Sequence, residues 1–308
     1  MQAQNTVTVY IVILNWNGLA DTLVCLESLS TIKTTGFHLT TLVIDNGSKV
    51  DETIKIKQAF SSVVVERCEK NLGFAEGCNF GIQIALKANA DYILFLNNDT
   101  IVTPDFLYQL VGYMLDHPEV GVCGPLICYA DSPDKVWFAG GKVNLMLGYF
   151  DHVHKDLPVS TLDRQIRTCE FVTGCCMLVS AKALTYVNGF DKRFFAYIED
   201  VDLSLRIRAN RLKAIFVPDS LIFHKVSSSS NSNLSQGTVS PFIHFLMARN
   251  KLLIVKKLGN WPERMIYQIV MHPIISSYYL SGFILRRRWD KLKAYLQGTL
   301  RGYKGLPL

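Results

Sequence analysis

Along the first hundred residues, apolar runs too short for most helices alternate with longer stretches whose apolar positions recur every three to four residues. That alternation is the βαβα signature of a mainly parallel sheet. Val7 to Leu14 is predicted as a buried strand, followed by the polar turn Asn15-Trp16-Asn17-Gly18 and a helix carrying Leu19, Leu23, Leu26 and Leu29. A second strand is predicted over Leu39 to Ile44, ending on Asp45-Asn46-Gly47-Ser48, then a helix over Asp51 to Phe60 and a short strand over Val63 to Glu66. Asn71 opens a helix that runs through Ala88, and Tyr92 to Leu96 is a fourth strand that meets Asn97-Asn98-Asp99-Thr100. After Pro125 the pattern is irregular: short strands and a loop over 130–170, a helix with an acidic first turn over Glu199 to Arg211, and strands over Ala214 to Phe216 and Leu221 to Phe223. Ser227 to Ser230 is of low complexity and is expected to be a mobile loop.

The 308 residues include 49% hydrophobic and 19% charged positions, which excludes a disordered chain, a collagen or a charged rod. Eight cysteines lack CxxC spacing, and the first residues lack the pattern of a secretory leader. A reduced, cytoplasmic setting is expected, with neither a zinc site nor a disulfide scaffold. The net charge of +6 is unevenly placed. Residues 249–308 hold 12 Lys and Arg against two acids, Glu263 and Asp290, and the rest of the chain is slightly acidic, so two regions with different partners are implied.

In a sheet of this kind, ligands gather beyond the carboxyl ends of the strands. The polar residues crowd there. Asp99, with Asn97 and Asn98, suits a hard divalent ion shared with a diphosphate, although a strand-ending turn has the same composition. Asp45 can accept hydrogen bonds from a ribose or a base, or simply close an Asx-turn. Glu199, Asp200 and Asp202 fall in one helical turn after the aromatic run Phe194-Phe195-Ala196-Tyr197. They either cap the helix or, crowded beside apolar bulk, supply a general base. His224 reads as a buried histidine or as a metal ligand, and Cys175-Cys176 as small apolar filling in a strand.

The succession VILNWNG, VIDNGS, NLGFAEGCN, LFLNNDT, TGCCMLVS, NGFD, YIEDVDLSLR and FHKVSSSS resembles the family 2 inverting glycosyltransferases, particularly their rhamnosyltransferase-like bacterial members, over roughly residues 7–255. The resemblance implies the GT-A α/β fold of nucleotide-diphospho-sugar transferases: a mainly parallel central sheet flanked by helices, here with a basic helical C-terminal appendage. Together with the charge asymmetry it divides the chain into a transferase domain at 1–248, with nucleotide-sugar binding in about 7–125 and the acceptor and catalytic part in about 126–248, and the appendage at 249–308. It assigns donor contacts to Asn15, Asn17, Asp45, Asn71, Gly73, Asn97 and Asn98, and a Mg²⁺ or Mn²⁺ site to Asp99 and His224. Asn97 stands where the family has the first acid of its DXD-type motif. Glu199 and Asp200 match the family's catalytic acids, with Asp200 favoured as base. The implied substrates are a dTDP-, UDP- or GDP-sugar and a glycan or polyprenyl-linked glycan in cell-surface polysaccharide synthesis.

A nucleotidyltransferase is the alternative enzyme, but NWNG is not a glycine-rich phosphate loop followed by a basic residue. A Rossmann dehydrogenase is disfavoured for want of GxGxxG. A catalytically silent nucleotide-sugar or glycan binder is the alternative from another class. In the tail, Met265 to Leu285 is apolar but broken by Gln268, His272 and Pro273, with Arg286-Arg287-Arg288 directly after. A span is disfavoured; a helix lying on an anionic membrane is expected, giving a peripheral protein on the inner face of the cell membrane, with a helical appendage packed on the core or on a second subunit as the alternative. A homo-oligomer is compatible with the tail, whereas nucleic acid is not expected, since no reading motif accompanies the charge.

Overall fold

The computed structural model describes residues 6–226 and 239–306; Ser227–Ser230 lie outside the described residues. The first half follows the sequence pattern closely: β1 (Val7–Asn15), α1 (Leu19–Leu29), β2 (Phe37–Asp45), α2 (Thr53–Ala59), β3 (Val64–Arg67), α3 (Gly73–Lys87), β4 (Tyr92–Asn97), β5 (Thr100–Val102) and α4 (Phe106–Asp116). The second half holds β6 (Val120–Tyr129), β7 (Val136–Phe138), β8 (Gly141–Asn144), β9 (Tyr149–His152), β10 (Arg167–Thr168), β11 (Cys176–Ser180), α5 (Ala181–Val187), α6 (Glu199–Ala209) and β12 (Lys213–His224). Helices α7 (Pro241–Leu258), α8 (Trp261–Ile266), α9 (His272–Leu285) and α10 (Trp289–Lys304) follow, with a π-helical turn at Tyr267–Met271 joining α8 to α9.

The sheet runs β10-β12-β6-β11-β4-β1-β2-β3, with β5 and β7 attached at β12 and β6. β1, β2, β3, β4, β6 and β12 point the same way, and β11 runs against both of its neighbours. This is the α/β architecture of the GT-A fold, a mainly parallel central sheet flanked by helices, with helices at the C-terminal end. The near-continuous apolar strands are explained by cover on both faces. Ile11, Ile13, Val43 and Leu94 face α1 and α4, while Val12, Leu42, Ile44 and Phe95 face α3, α5 and α6.

β12 is one strand where the sequence predicts two, because its register against β6 shifts between Val217 and Leu221, around Pro218 and Asp219. An irregularity of this kind admits a proline inside a paired strand. α7 runs through residue 249 into the core, burying Leu252, Leu253, Ile254 and Val255 with the main cluster. α10 lies against it at Gly298 and Gly302, where a Cβ would press on the Phe245 and Arg249 carbonyls. Among the described residues, no helix is long and apolar enough to cross a membrane.

Candidate active site

Three strand ends crowd one edge of the sheet with polar side chains. Asn15, at the end of β1, is fully buried; it accepts from the Thr22 hydroxyl at 2.7 Å and donates to Glu52 Oε2 at 2.7 Å. Asn17 takes a left-handed φ of 51°, donates its N–H to Ser48 Oγ at 2.8 Å and accepts from the Lys49 N–H at 2.9 Å. Asp45, at the end of β2, is also fully buried: Oδ1 accepts from the Ser48 N–H at 3.1 Å, and Oδ2 has no hydrogen-bond partner, with Arg67 Nε 3.7 Å away. An ordered acceptor left open inside a cradle is a place for a ligand N–H or O–H.

Asn71 Oδ1 accepts from the Gly73 N–H at 2.8 Å. Gly73 has φ +78°, and a Cβ there would meet the Phe195 carbonyl at 2.5 Å, so the turn requires glycine. Asn46, which the sequence reading did not single out, ties these loops together by donating to the Gly73 carbonyl at 3.0 Å and accepting from the Leu72 N–H at 3.0 Å. A polar side chain repeated in each strand-end turn was the available signal.

At the end of β4, Asn98 donates to the Thr22 hydroxyl at 3.0 Å, and the Asn97 N–H donates to the Cys175 carbonyl at 2.9 Å. Antiparallel pairing of β5 with β12 sets Thr100 opposite His224 and so brings His224 Nε2 to 3.1 Å from Asp99 Oδ1; both residues are buried. Among the described residues, no cluster of three or more His, Cys, Asp or Glu is placed to hold a metal. The pair nevertheless fits a Mg²⁺ or Mn²⁺ ion, which commonly keeps waters and substrate phosphates and asks one or two ligands of the protein. Nε2 is the His224 nitrogen that faces Asp99 and so the one that would meet the ion, in place of the hydrogen bond it now gives the carboxylate; Nδ1 is buried with no hydrogen-bond partner.

The acidic turn opening α6 splits into three environments. Asp202, fully buried, is held by Lys257 Nζ at 2.6 Å and Arg206 Nε at 2.7 Å. Glu199 points into the interior with Oε2 unbonded, and burial, reinforced by Asp200, pushes its carboxyl well above the usual range. Asp200 is partly open; Oδ2 accepts from the Gly174 N–H at 2.9 Å and Oδ1 from the Val201 N–H at 2.8 Å. Its carboxyl is raised by burial, against the lowering effect of those two N–H groups and of His152, so desolvation rather than repulsion among the acids leads the shift. Asp99 and Asp200 both lie near one short segment: the Cys175 carbonyl accepts from the N–H of Asn97, Gly174 donates to Asp200, and both acids act on the buried Cys175 thiol. The Cys175 and Cys176 thiols are themselves raised by burial.

The turn before α6 is strained, with Tyr197 at φ 68° and Ile198 at φ 72°, a conformation costly for a β-branched residue. It is held from elsewhere in the chain. Asn250 on α7 donates to the Ala196 carbonyl at 2.9 Å and the Tyr197 carbonyl at 2.8 Å, and Arg249 donates to the Arg193 carbonyl at 2.6 Å. Asn79 on α3 exchanges two 2.8 Å hydrogen bonds with Phe190, and the Phe195 carbonyl accepts from the Phe74 N–H at 2.6 Å. Beside Asp200, His152 on β9 lies 4.7 Å from the ring of Trp137, which lies 4.5 Å from His224. These residues, like Asn79 and Asn250, escaped the sequence reading, where single polar or aromatic positions in irregular or apolar stretches carry no distinguishing spacing.

The sequence pattern of the family described as glycosyl transferase family 2 matches residues 10–186. The O-antigen biosynthesis protein RfbC of Myxococcus xanthus is 30% identical over 156 residues, which span 48% of this chain and 12% of that protein. The N-acetylglucosaminyl-diphospho-decaprenol L-rhamnosyltransferase of Mycobacterium tuberculosis is 27% identical over 209 residues, 61% of this chain and 67% of that one. The crystal structure of GalNAc-T7 with UDP, GalNAc and Mn²⁺ superposes with a TM-score of 0.65 at 15% identity, covering 86% of this chain and 50% of that one. The matched residues hold the loops that follow β1, β2, β3 and β4, and the chain belongs to glycosyl transferase family 2.

Proposed function

We propose that the protein is an inverting glycosyltransferase that moves a hexosyl group, rhamnose in the first instance, from a nucleoside-diphosphate sugar to a hydroxyl of a glycan carried on a polyprenyl diphosphate. Residues 1–248 would carry both substrates, and the acceptor would be met at the inner face of the cell membrane. The observation that carries the reading is the pair of acids near Gly174-Cys175, one joined to His224 at a strand end and the other raised by burial at the head of α6. The named activities of the relatives, an L-rhamnosyltransferase acting on a diphospho-decaprenol among them, support the choice of sugar and acceptor.

Asp45 Oδ2 would accept from the nucleoside, and Asn71 and Gly73 would shape the wall beside it. Asp99 and His224 would hold Mg²⁺ or Mn²⁺, whose charge offsets that of the departing diphosphate. Each Asp200 oxygen gives one lone pair to a backbone N–H and keeps another free, so the carboxylate is oriented and still basic. Asp200 takes the proton of the acceptor hydroxyl, whose oxygen bonds the anomeric carbon on the face opposite the diphosphate. The bond to the diphosphate breaks with its electron pair, and the configuration inverts.

Asp200→Asn is expected to bind the donor normally and to lose transfer by about 100- to 10,000-fold, whereas Asp99→Ala loses metal-dependent donor binding. Donor titration and product formation separate the two. Transfer at an undiminished rate in Asp200→Asn would overturn the base assignment.

A further inference from the structure

From Met265 to Leu285 there is no Asp, Glu, Lys or Arg. One side of this helical run packs on the protein: Tyr267, His272 and Phe283 are buried, Phe283 against Ala248 and Tyr295. The other side faces out and is just as apolar, with Ile269 63%, Ile274 59%, Tyr278 76% and Leu285 83% exposed, and Trp261 and Trp289 stand exposed at its two ends. A helix at the surface of a water-soluble protein presents polar residues on its free side, and one that is apolar all round is covered by something.

The geometry points to this outward face of α8 and α9 as a docking surface for an anionic lipid bilayer. It deepens the proposed function by placing the surface that would meet a lipid-borne acceptor, and its own evidence does not depend on the reaction. The ends of the row carry what a membrane interface favours: the amphipathic rings of Trp261 and Trp289, the cations Arg264 beside the first and Arg286 to Arg288 beside the second. Of the cations in 249–308, Arg249 and Lys291 are buried and Lys257 is paired with Asp191 and Asp202, but Arg264, Arg286 and Arg287 are exposed, and these favour an anionic surface over a second copy of the same basic face.

Crossing is excluded by packing. The helical run is unbroken through the π-turn, but spanning would strip Tyr267 and Phe283 from their contacts on the protein. The helix therefore lies along the surface. The tip of the β8–β9 hairpin joins the same region, since Gly148 sits against the Tyr267 ring and Met146 and Leu147 are exposed beside it. The base of that hairpin is His152, near Asp200, so one short ribbon runs from the packed side of the docking helix toward the cleft.

The test is flotation of the full chain with vesicles of phosphatidylglycerol and phosphatidylcholine, against phosphatidylcholine alone. The wild type is expected to float with the anionic vesicles and to shift its tryptophan emission to the blue. Ile274→Glu/Tyr278→Glu, at exposed positions, is expected to lower the bound fraction about tenfold with an unchanged melting temperature. Trp261→Ser/Leu285→Ser serves as a milder second variant with the same expected direction. Wild type that stays in solution, or variants that float as well as it does, would overturn the inference. So would a wild-type dimer that the Glu variant dissociates without any flotation, which would give the face to a second copy. Asp200→Asn should float normally; a wild type that floats but transfers no sugar would remove the reaction and leave the surface standing.

Discussion

The donor loops and the acidic turn are both polar segments at the edge of one sheet, yet they are held in opposite ways. The loops after β1 and β2 stiffen one another through bonds such as Asn17 to Ser48 and Lys49, within about one βαβ unit. The turn at 194–200 has a strained backbone and depends on Asn250, 53 and 54 positions from the carbonyls it secures, and on Asn79, 111 positions from Phe190. The pairing of the loops after β1 and β2 is thus a property of local sequence, and the placement of Asp200 a property of the completed fold.

Breaking the remote anchor should cost most. Asn250→Ala leaves the Ala196 and Tyr197 carbonyls without their donor, for an expected loss of about 2–4 kcal/mol and a drop in melting temperature of about 5 °C. Transfer should suffer through kcat more than through donor KM, because the turn that moves carries Asp200, the proposed base. An unchanged kcat would mean that the strained turn holds itself.

An intermediate effect is expected at Glu199. Its carboxyl is raised in the folded state, so between the unfolded value of about 4.3 and the folded one the unfolded chain binds fewer protons, and stability falls as pH rises. Glu199→Gln removes this liability: melting should rise by about 2 °C at pH 8 and match the wild type at pH 4, with transfer retained. A variant less stable than wild type at pH 8 would show that the acid is ionised and partnered.

The smallest effect belongs to the local loop. Asn17→Gly keeps the left-handed backbone at no steric cost and loses only the acceptor for the Lys49 N–H, so stability should change by less than about 1 kcal/mol. A larger loss, read by denaturant melting, would mean that the donor loops share the long-range dependence of the acidic turn.

What could be read from the sequence follows the same division. The apolar runs of β1, β2 and β4 and the turns that end them announce themselves within ten residues, and the helices between them differ from expectation by about two positions at their ends. The meeting of Asp99 with His224 does not, because it follows from β5 pairing with β12 across 125 positions. Nor does the sorting of Glu199, Asp200 and Asp202: one helical turn of acids looks uniform until Lys257 and Arg206 claim the third and burial claims the first. His152 and Trp137 reach the cleft on short strands whose pattern reads only as irregular.

The portion of the chain that its family pattern recognises ends at residue 186, before the strained turn and well before α7. Chimeras built by joining relatives at the edge of that portion would separate a carboxylate from the amide that fixes its heading. Exchanges that carry 190–200 and 241–258 as one cassette keep the two matched, and acceptor preference can then be swapped without dismantling the seat for the nucleotide.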